Sequence, residues 1–135
     1  MDIRAVSIKA VILGFLADTV ASTVGSIPVG IWYVMTSGSQ SLEQMLEGMS
    51  TSALILSLSL AIGLLGTALG GYVAGLVAKA HQLLNASCVG ILGIVFSLFF
   101  TGYPTWFNVA GYTLTIPAAM LGGKLSIRKE SEAGK

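Results

Sequence analysis

The organisation of the chain turns on Ala10-Val11-Ile12-Leu13-Gly14-Phe15-Leu16-Ala17-Asp18-Thr19-Val20-Ala21-Ser22-Thr23-Val24-Gly25-Ser26-Ile27-Pro28-Val29-Gly30-Ile31-Trp32-Tyr33-Val34-Met35. Within it Ala10, Gly14, Asp18, Ser22, Ser26 and Gly30 recur at every fourth position, small or polar groups among Val, Ile, Leu and Phe. Helical positions four apart share a face, so this spacing draws a small, polar stripe along an otherwise apolar helix. Asp18, at the middle of the stripe, is the acidic residue that falls inside an apolar run, and something must satisfy it.

The remainder of the chain is apolar in the same way. Of its 135 residues 54% are hydrophobic and 10% charged, with a mean hydropathy of +0.85, whereas soluble domains carry about 25% charged residues. No Asp, Glu, Lys or Arg occurs from Gly48 to Ala78 or from Gln82 to Gly123. A helix needs about 20 apolar residues to cross a bilayer, so the first run holds one span and the second holds two, folded as a hairpin. The sequence therefore predicts an all-α membrane protein, a four-transmembrane-helix bundle forming one domain over residues 1–127, with spans at about 10–35, 52–78, 84–101 and 107–125. Residues 128–135 read as a tail, and Ser126 to Lys135, mixed in charge and without apolar pattern, as a disordered extension. Arg4 and Lys9 precede an apolar stretch in the manner of a signal peptide, but that stretch resumes beyond Asp18 to Met35, too long for a signal core, and no Ala-x-Ala site closes it.

Between the first two spans, Ser41-Leu42-Glu43-Gln44-Met45-Leu46-Glu47-Gly48-Met49 has capping-box spacing at Ser41 and Gln44. Leu42, Met45, Leu46 and Met49 fall at i, i+3, i+4 and i+7, the pattern of a short amphipathic helix lying on the membrane face. The second span carries Gly66-x-x-x-Gly70-x-x-x-Ala74 and Gly71-x-x-x-Gly75, and the fourth ends in Gly122-Gly123. With Gly14, these are helix-packing positions, because small residues at this interval let backbones approach closely in lipid. Pro28 and Pro117 are expected to bend the spans that hold them. Ile12-Leu13-Gly14-Phe15 parallels Ile91-Leu92-Gly93-Ile94, and Leu69-Gly70-Gly71 parallels Leu121-Gly122-Gly123, which raises the possibility of two duplicated hairpins.

The seven basic residues fall in three places: Arg4 and Lys9 before the first span, Lys79 between the second and third, and Lys124, Arg128, Lys129 and Lys135 after the fourth. With four spans these places share one side, and the positive-inside rule puts that side, with both termini, in the cytoplasm. The expected location is a bacterial inner membrane, with the amphipathic helix outside.

Asp18 lies nine residues past Lys9, about 13 Å deep at the helical rise. An ionised carboxylate there costs about 3 kcal/mol on insertion scales, so it must face protein or water. Two readings stand side by side: a proton or cation site built from Asp18, Ser22 and Thr19 with Glu43 and Glu47 at the outer mouth, or a hydrogen-bonding group that glues helices together. No cofactor or metal is expected, since one His (His81) and one Cys (Cys88) cannot build a zinc site. The glycines lie within spans, with no following Lys-Ser/Thr to make a phosphate loop, and no nucleophile sits beside a base, so an enzyme is not expected. A net charge of +1 gives no reason to expect nucleic acid as a partner.

Gly14 to Asp18, together with Gly70-Gly71-Tyr72-Val73-Ala74-Gly75, resembles small four-span bacterial membrane proteins that have no established activity. In length, span count and a single acid in the first helix, the chain is also similar to the small multidrug resistance exporters, Asp18 matching their essential acid by position. It departs from them in having Asp for Glu, a longer outer segment and a strong basic bias. Two functional expectations follow. One is a non-enzymatic subunit that packs through its glycine faces into a homo-oligomer or onto a larger membrane protein. The other is a proton- or cation-coupled small-solute transporter or channel using Asp18, its pathway requiring an oligomer because so short a chain encloses little volume. In a Cys88→Ser background, single cysteines at Ser39 and Ser131 are expected to react with an impermeant reagent from opposite sides of the membrane, and equal access would overturn the basic-residue topology.

Overall fold

The computed structural model describes residues 6–38, 41–78, 80–100 and 102–133. Arg4, Ser39, Lys79 and Lys135 lie outside the described residues, as do the side chains of Lys129, Glu130 and Glu132. Five helices follow in order, α1 (Ile8–Ser37), α2 (Leu42–Thr51), α3 (Ala53–Ala78), α4 (Gln82–Ser97) and α5 (Thr105–Ala133), with no strand among the described residues. Two of them, α1 and α3, are long and apolar enough to cross a membrane.

Local chemistry sets the boundaries. The Ser7 hydroxyl accepts the Ala10 N–H at 3.3 Å to start α1, and Gly38, at φ 62°, ends it in the left-handed region that glycine enters without strain. The Ser41 hydroxyl accepts from Gln44 N at 3.2 Å, as the capping-box spacing requires, and α2 forms where the amphipathic pattern places it. The helical assignment runs through both Pro28 and Pro117. Two boundaries differ from expectation. The third expected span, α4, stops at Ser97, where the backbone tightens into Phe99 N→Phe96 O and Phe100 N→Ser97 O bonds of 3.2 and 3.0 Å before Gly102 and Pro104. The fourth, α5, continues to Ala133 instead of loosening at Ser126, because nothing from Lys124 to Ala133 is a glycine or proline that would break it.

Four helices pack together, α1 and α4 running one way and α3 and α5 the other. α3 is central, and glycine lets its neighbours lie against its backbone. A methyl group on Gly14 would come within 2.6 Å of the Gly70 carbonyl oxygen, and one on Gly70 within 2.6 Å of the Gly14 carbonyl oxygen. On the opposite flank of α3 a methyl on Gly71 would strike the Ala119 carbonyl, one on Gly122 the Ala68 carbonyl, and one on Gly75 the Ser126 hydroxyl. Between α4 and α5, Gly90 faces Ile116 and Ala119, and Gly123 faces Ala86. Gly66 lies against Ser22 and Asp18.

These seams put alanine, glycine and hydroxyls inside and the large apolar side chains outside. Ala10, Ala74, Ala86 and Ala119 are fully buried, whereas Leu65 is 71% exposed and Leu121 62%. An outer surface this apolar is rare on soluble monomers. The hairpins α1–α3 and α4–α5 are each antiparallel, but their matched glycines are not equivalent: Gly14 sits against Val89 of α4, whereas Gly93 sits beside the Asp18 carboxylate. Replacing Gly71 or Gly122 by Ala is expected to destabilise the protein by about 1–3 kcal/mol through overpacking. Gly30→Ala, where a methyl meets no atom within 4 Å, should be close to neutral, as read by denaturant titration in detergent.

Candidate functional site

A strict four-residue spacing gains about 40° per step on a helix of 3.6 residues per turn, so the stripe on α1 winds around the helix by about 200° from Ala10 to Gly30. Its lower part therefore faces the bundle and its upper part turns away. Ala10, Gly14 and Asp18 are buried, Ser22 is half-buried, and Ser26 is exposed. Asp18 is the last buried member, 8% exposed, and one turn beyond it Gly66 of α3 still lies against Ser22.

Its carboxylate is held by two hydroxyl donors. Ser22, one turn on, donates to Oδ1 at 3.1 Å, and Thr67 of α3 donates to Oδ2 at 3.1 Å. Gly66 and Gly93 clear the space around it: a methyl on Gly66 would lie 3.0 Å from Oδ1, and one on Gly93 would lie 3.9 Å from Oδ2. Thr19 does not bond the carboxylate; its hydroxyl returns to the Phe15 carbonyl at 2.9 Å. Thr67 was not among the residues the sequence singled out, although it is the one hydroxyl between Ser59 and Tyr72, a signal that a search of α3 for a partner would have used.

Above Asp18 the bundle opens into a cavity of about 620 Å³. Every packed helix lines it: Phe15, Asp18, Thr19, Ser22 and Ser26 from α1, Gly63 and Thr67 from α3, Gly93 and Phe96 from α4, and Phe107, Tyr112 and Thr115 from α5. The cavity exists because the glycine contacts are concentrated in the half of the bundle that ends at Lys9 and Arg128, while Leu, Phe and Tyr hold the helices apart in the other half. A single chain forms this open cleft. Phe15 meets Phe96 edge to face at 5.7 Å, and Phe96 meets Phe100 at 5.3 Å, making an aromatic wall between α1 and α4. Tyr103, Phe107 and Trp106 form a second aromatic group at the mouth. No Lys or Arg lines the cavity, so among the described residues the Asp18 charge has no basic partner there.

Glu43 and Glu47 do not line the cavity. The structure docks α2 on the far ends of α1 and α3, with Gly48 against the Tyr33 hydroxyl, and both glutamates stand exposed on it. His81 is exposed at φ 50°, in the turn between α3 and α4. Cys88 is half-buried against the cluster of Val11, Ala74 and Val89. A second polar centre escaped the sequence reading: Asn85, fully buried, ties the Ser7 N–H to the turn before α4. Among the described residues no group of three or more His, Cys, Asp or Glu is placed to hold a metal.

Thr67→Val, which removes one of the two donors at nearly constant volume, is expected to destabilise the protein by about 1–3 kcal/mol. Ser26→Ala, at an exposed hydroxyl that bonds its own helix at Ser22 O, should change stability little, and a thermal melt in detergent compares the two. The chain matches no family model, no curated protein and no solved structure.

Proposed function

We propose that this is an integral membrane protein whose four packed helices α1, α3, α4 and α5 all cross the bilayer, with both termini in the cytoplasm, and that it binds a cationic solute at Asp18 and carries it across. The four-span reading is supported by the apolar outward faces: Leu16 on α1, Leu69 on α3, Val95 on α4 and Leu125 on α5 are each at least 48% exposed. The topology is supported by the basic residues Lys9, Lys124 and Arg128, which lie at one end, and by Trp32, Tyr33 and Trp106 at the other, where aromatic side chains anchor in the interface.

The observation that carries the functional reading is a carboxylate at the floor of an aromatic-walled cavity without a basic partner lining it. A buried acid that only glued helices together would need its hydroxyl partners and no cavity. Here the cavity is large enough for a solute, its only formally charged lining group among the described residues is Asp18, and Phe15, Phe96, Phe107 and Tyr112 line it, rings of the kind that attract a cation through their quadrupoles. Two hydroxyls and one carboxylate are too few oxygens to replace the six to eight ligands of a calcium ion. An ammonium group carrying an apolar body fits both the charge and the walls. Proton and solute would compete for one carboxylate, so binding of one favours release of the other. The alternative, a subunit docking through free glycine faces, has less support, because Gly14, Gly66, Gly70, Gly71, Gly75, Gly122 and Gly123 lie in seams within the chain's own bundle.

In proteoliposomes, Asp18→Asn is expected to fold, since the Asn oxygen still accepts from one hydroxyl and its Nδ2 donates to the oxygen of the other, and to lose benzyltrimethylammonium binding by roughly 30-fold or more, about 2 kcal/mol. Wild-type binding should weaken on acidification, because protonation removes the negative charge, while the residual binding of the variant should not depend on pH. An Asp18→Asn protein with full uptake would sink the proposal.

A further inference from the structure

The cavity ends abruptly below Asp18, and the closure is built differently on its different sides. Gly14 meets Gly70 and Ala74 of α3 and also Val89 of α4, making a three-helix junction one turn beneath the acid. Val11, Ala74 and Val89 form the buried apolar cluster at this level, with Val6 and Cys88 packed on it. Nearer the basic end stands Asn85, whose Oδ1 accepts the Ser7 N–H at 2.7 Å while its Nδ2 donates to the carbonyls of His81 at 3.1 Å and Ala80 at 3.4 Å.

The seams around this closure are not equivalent. Glycines on both partners knit α1 to α3 at Gly14 and Gly70, and α3 to α5 at Gly71 and Gly122, so separating either pair parts backbones in direct contact. Gly90 and Gly123 do the same for α4 and α5. The seam between α1 and α4 is a side-chain seam: the Val11–Val89 layer and the Ser7–Asn85 hydrogen bond beneath it. Opening a path from Asp18 to the basic end along this seam requires the Val11–Val89 layer and the Ser7–Asn85 hydrogen bond to yield. Parting α1 from α3, α3 from α5 or α4 from α5 instead requires a glycine seam to yield.

We infer that the α1–α4 seam between Asp18 and Ser7 is the inner gate of the translocation path, and that Asn85 is its latch. The gate deepens the reading of Asp18 as a solute site, but its opening can be measured without any solute. Asn85 suits the role because it bonds both sides of the seam at once: α1 through a backbone N–H, and its own helix through the carbonyls of the preceding turn. Releasing the first bond leaves the others in place, so α4 keeps its start when α1 moves away. A ligand or proton at Asp18 would bias the gate by favouring one arrangement of α1 over the other.

Cys88, the chain's single cysteine, reports on this seam, one turn along α4 from Asn85. In oriented vesicles, an impermeant maleimide applied from the basic side is expected to label Cys88 slowly in the wild type and about five- to tenfold faster in Asn85→Ala, the effect of losing the one bond that crosses to Ser7, the bonds to the turn carbonyls lying within α4's own start. Ser7→Pro offers a test that leaves Asn85 intact: it removes the donated N–H at a backbone φ of −86°, close to proline's range. Ser7→Ala controls for loss of the cap on Ala10. Faster labelling of Ser7→Pro than of Ser7→Ala supports the latch; equal rates in proteins that melt alike overturn it. Val11→Cys, oxidised to a disulfide with Cys88, should still bind benzyltrimethylammonium from the aromatic side yet fail to release it on the basic side until reduced. Undiminished transport through the oxidised protein would overturn the gate. Absence of binding to the unoxidised wild type would count against the solute reading alone, leaving the labelling rates to decide the gate.

Discussion

The close approach of α1 to α3 at Gly14 and Gly70 is the constraint on which the other features depend. At that point each helix presents a bare backbone to the carbonyl of the other, and a methyl on either side would fall 2.6 Å from oxygen. The contact fixes the depth at which Asp18 emerges and brings it within 3.1 Å of the Thr67 hydroxyl. Without the seam, Asp18 would keep Ser22, its neighbour on the same helix, and lose its bond to Thr67 of α3. In lipid, where apolar faces gain little by leaving their surroundings, such contacts are the main source of helix association.

The interior polarity is a consequence of the same economy of side chains. A bundle packed through glycine and alanine has little apolar volume to bury, and its buried polar groups are each met by a donor or acceptor. Asp18 has Ser22 and Thr67, Asn85 has Ser7 and the turn carbonyls, and Ser126 donates to Gly123 O at 2.7 Å. Among the described residues no buried side-chain nitrogen or oxygen is left without a partner. Where the glycines end, the helices separate, and the cavity occupies the space that larger side chains cannot close.

The sequence made some of this plain and hid the rest for identifiable reasons. The helices, the cap of α2 at Ser41 and the buried face around Asp18 follow from periodicity and local capping, which act within a few residues. Thr67 and Asn85 are tertiary: each matters because of a residue 49 or 78 positions away, and a single sequence carries no record of such pairing. Glu43 and Glu47 look like a mouth when only their depth is known, whereas the docking of Gly48 on Tyr33 leaves them exposed on α2 and outside the cavity lining. The continuation of α5 past Ser126 follows from helix propensity, which the mixed charge of that segment obscured.

The brevity of α4 has a consequence for the surrounding lipid. Its 16 residues rise about 24 Å, short of a hydrocarbon core of about 30 Å, while α1 and α5 are longer than that core requires. On the four-span reading, the bilayer meets a thin wall on one side of the molecule and thick walls elsewhere. The difference is taken up by Leu98 and Phe99, which continue past the end of α4 and are 59% and 80% exposed. Acyl chains beside this edge must shorten or tilt, at a cost of fractions of a kcal/mol per Å of mismatch. The thickness of the host membrane thereby becomes a force acting on α4.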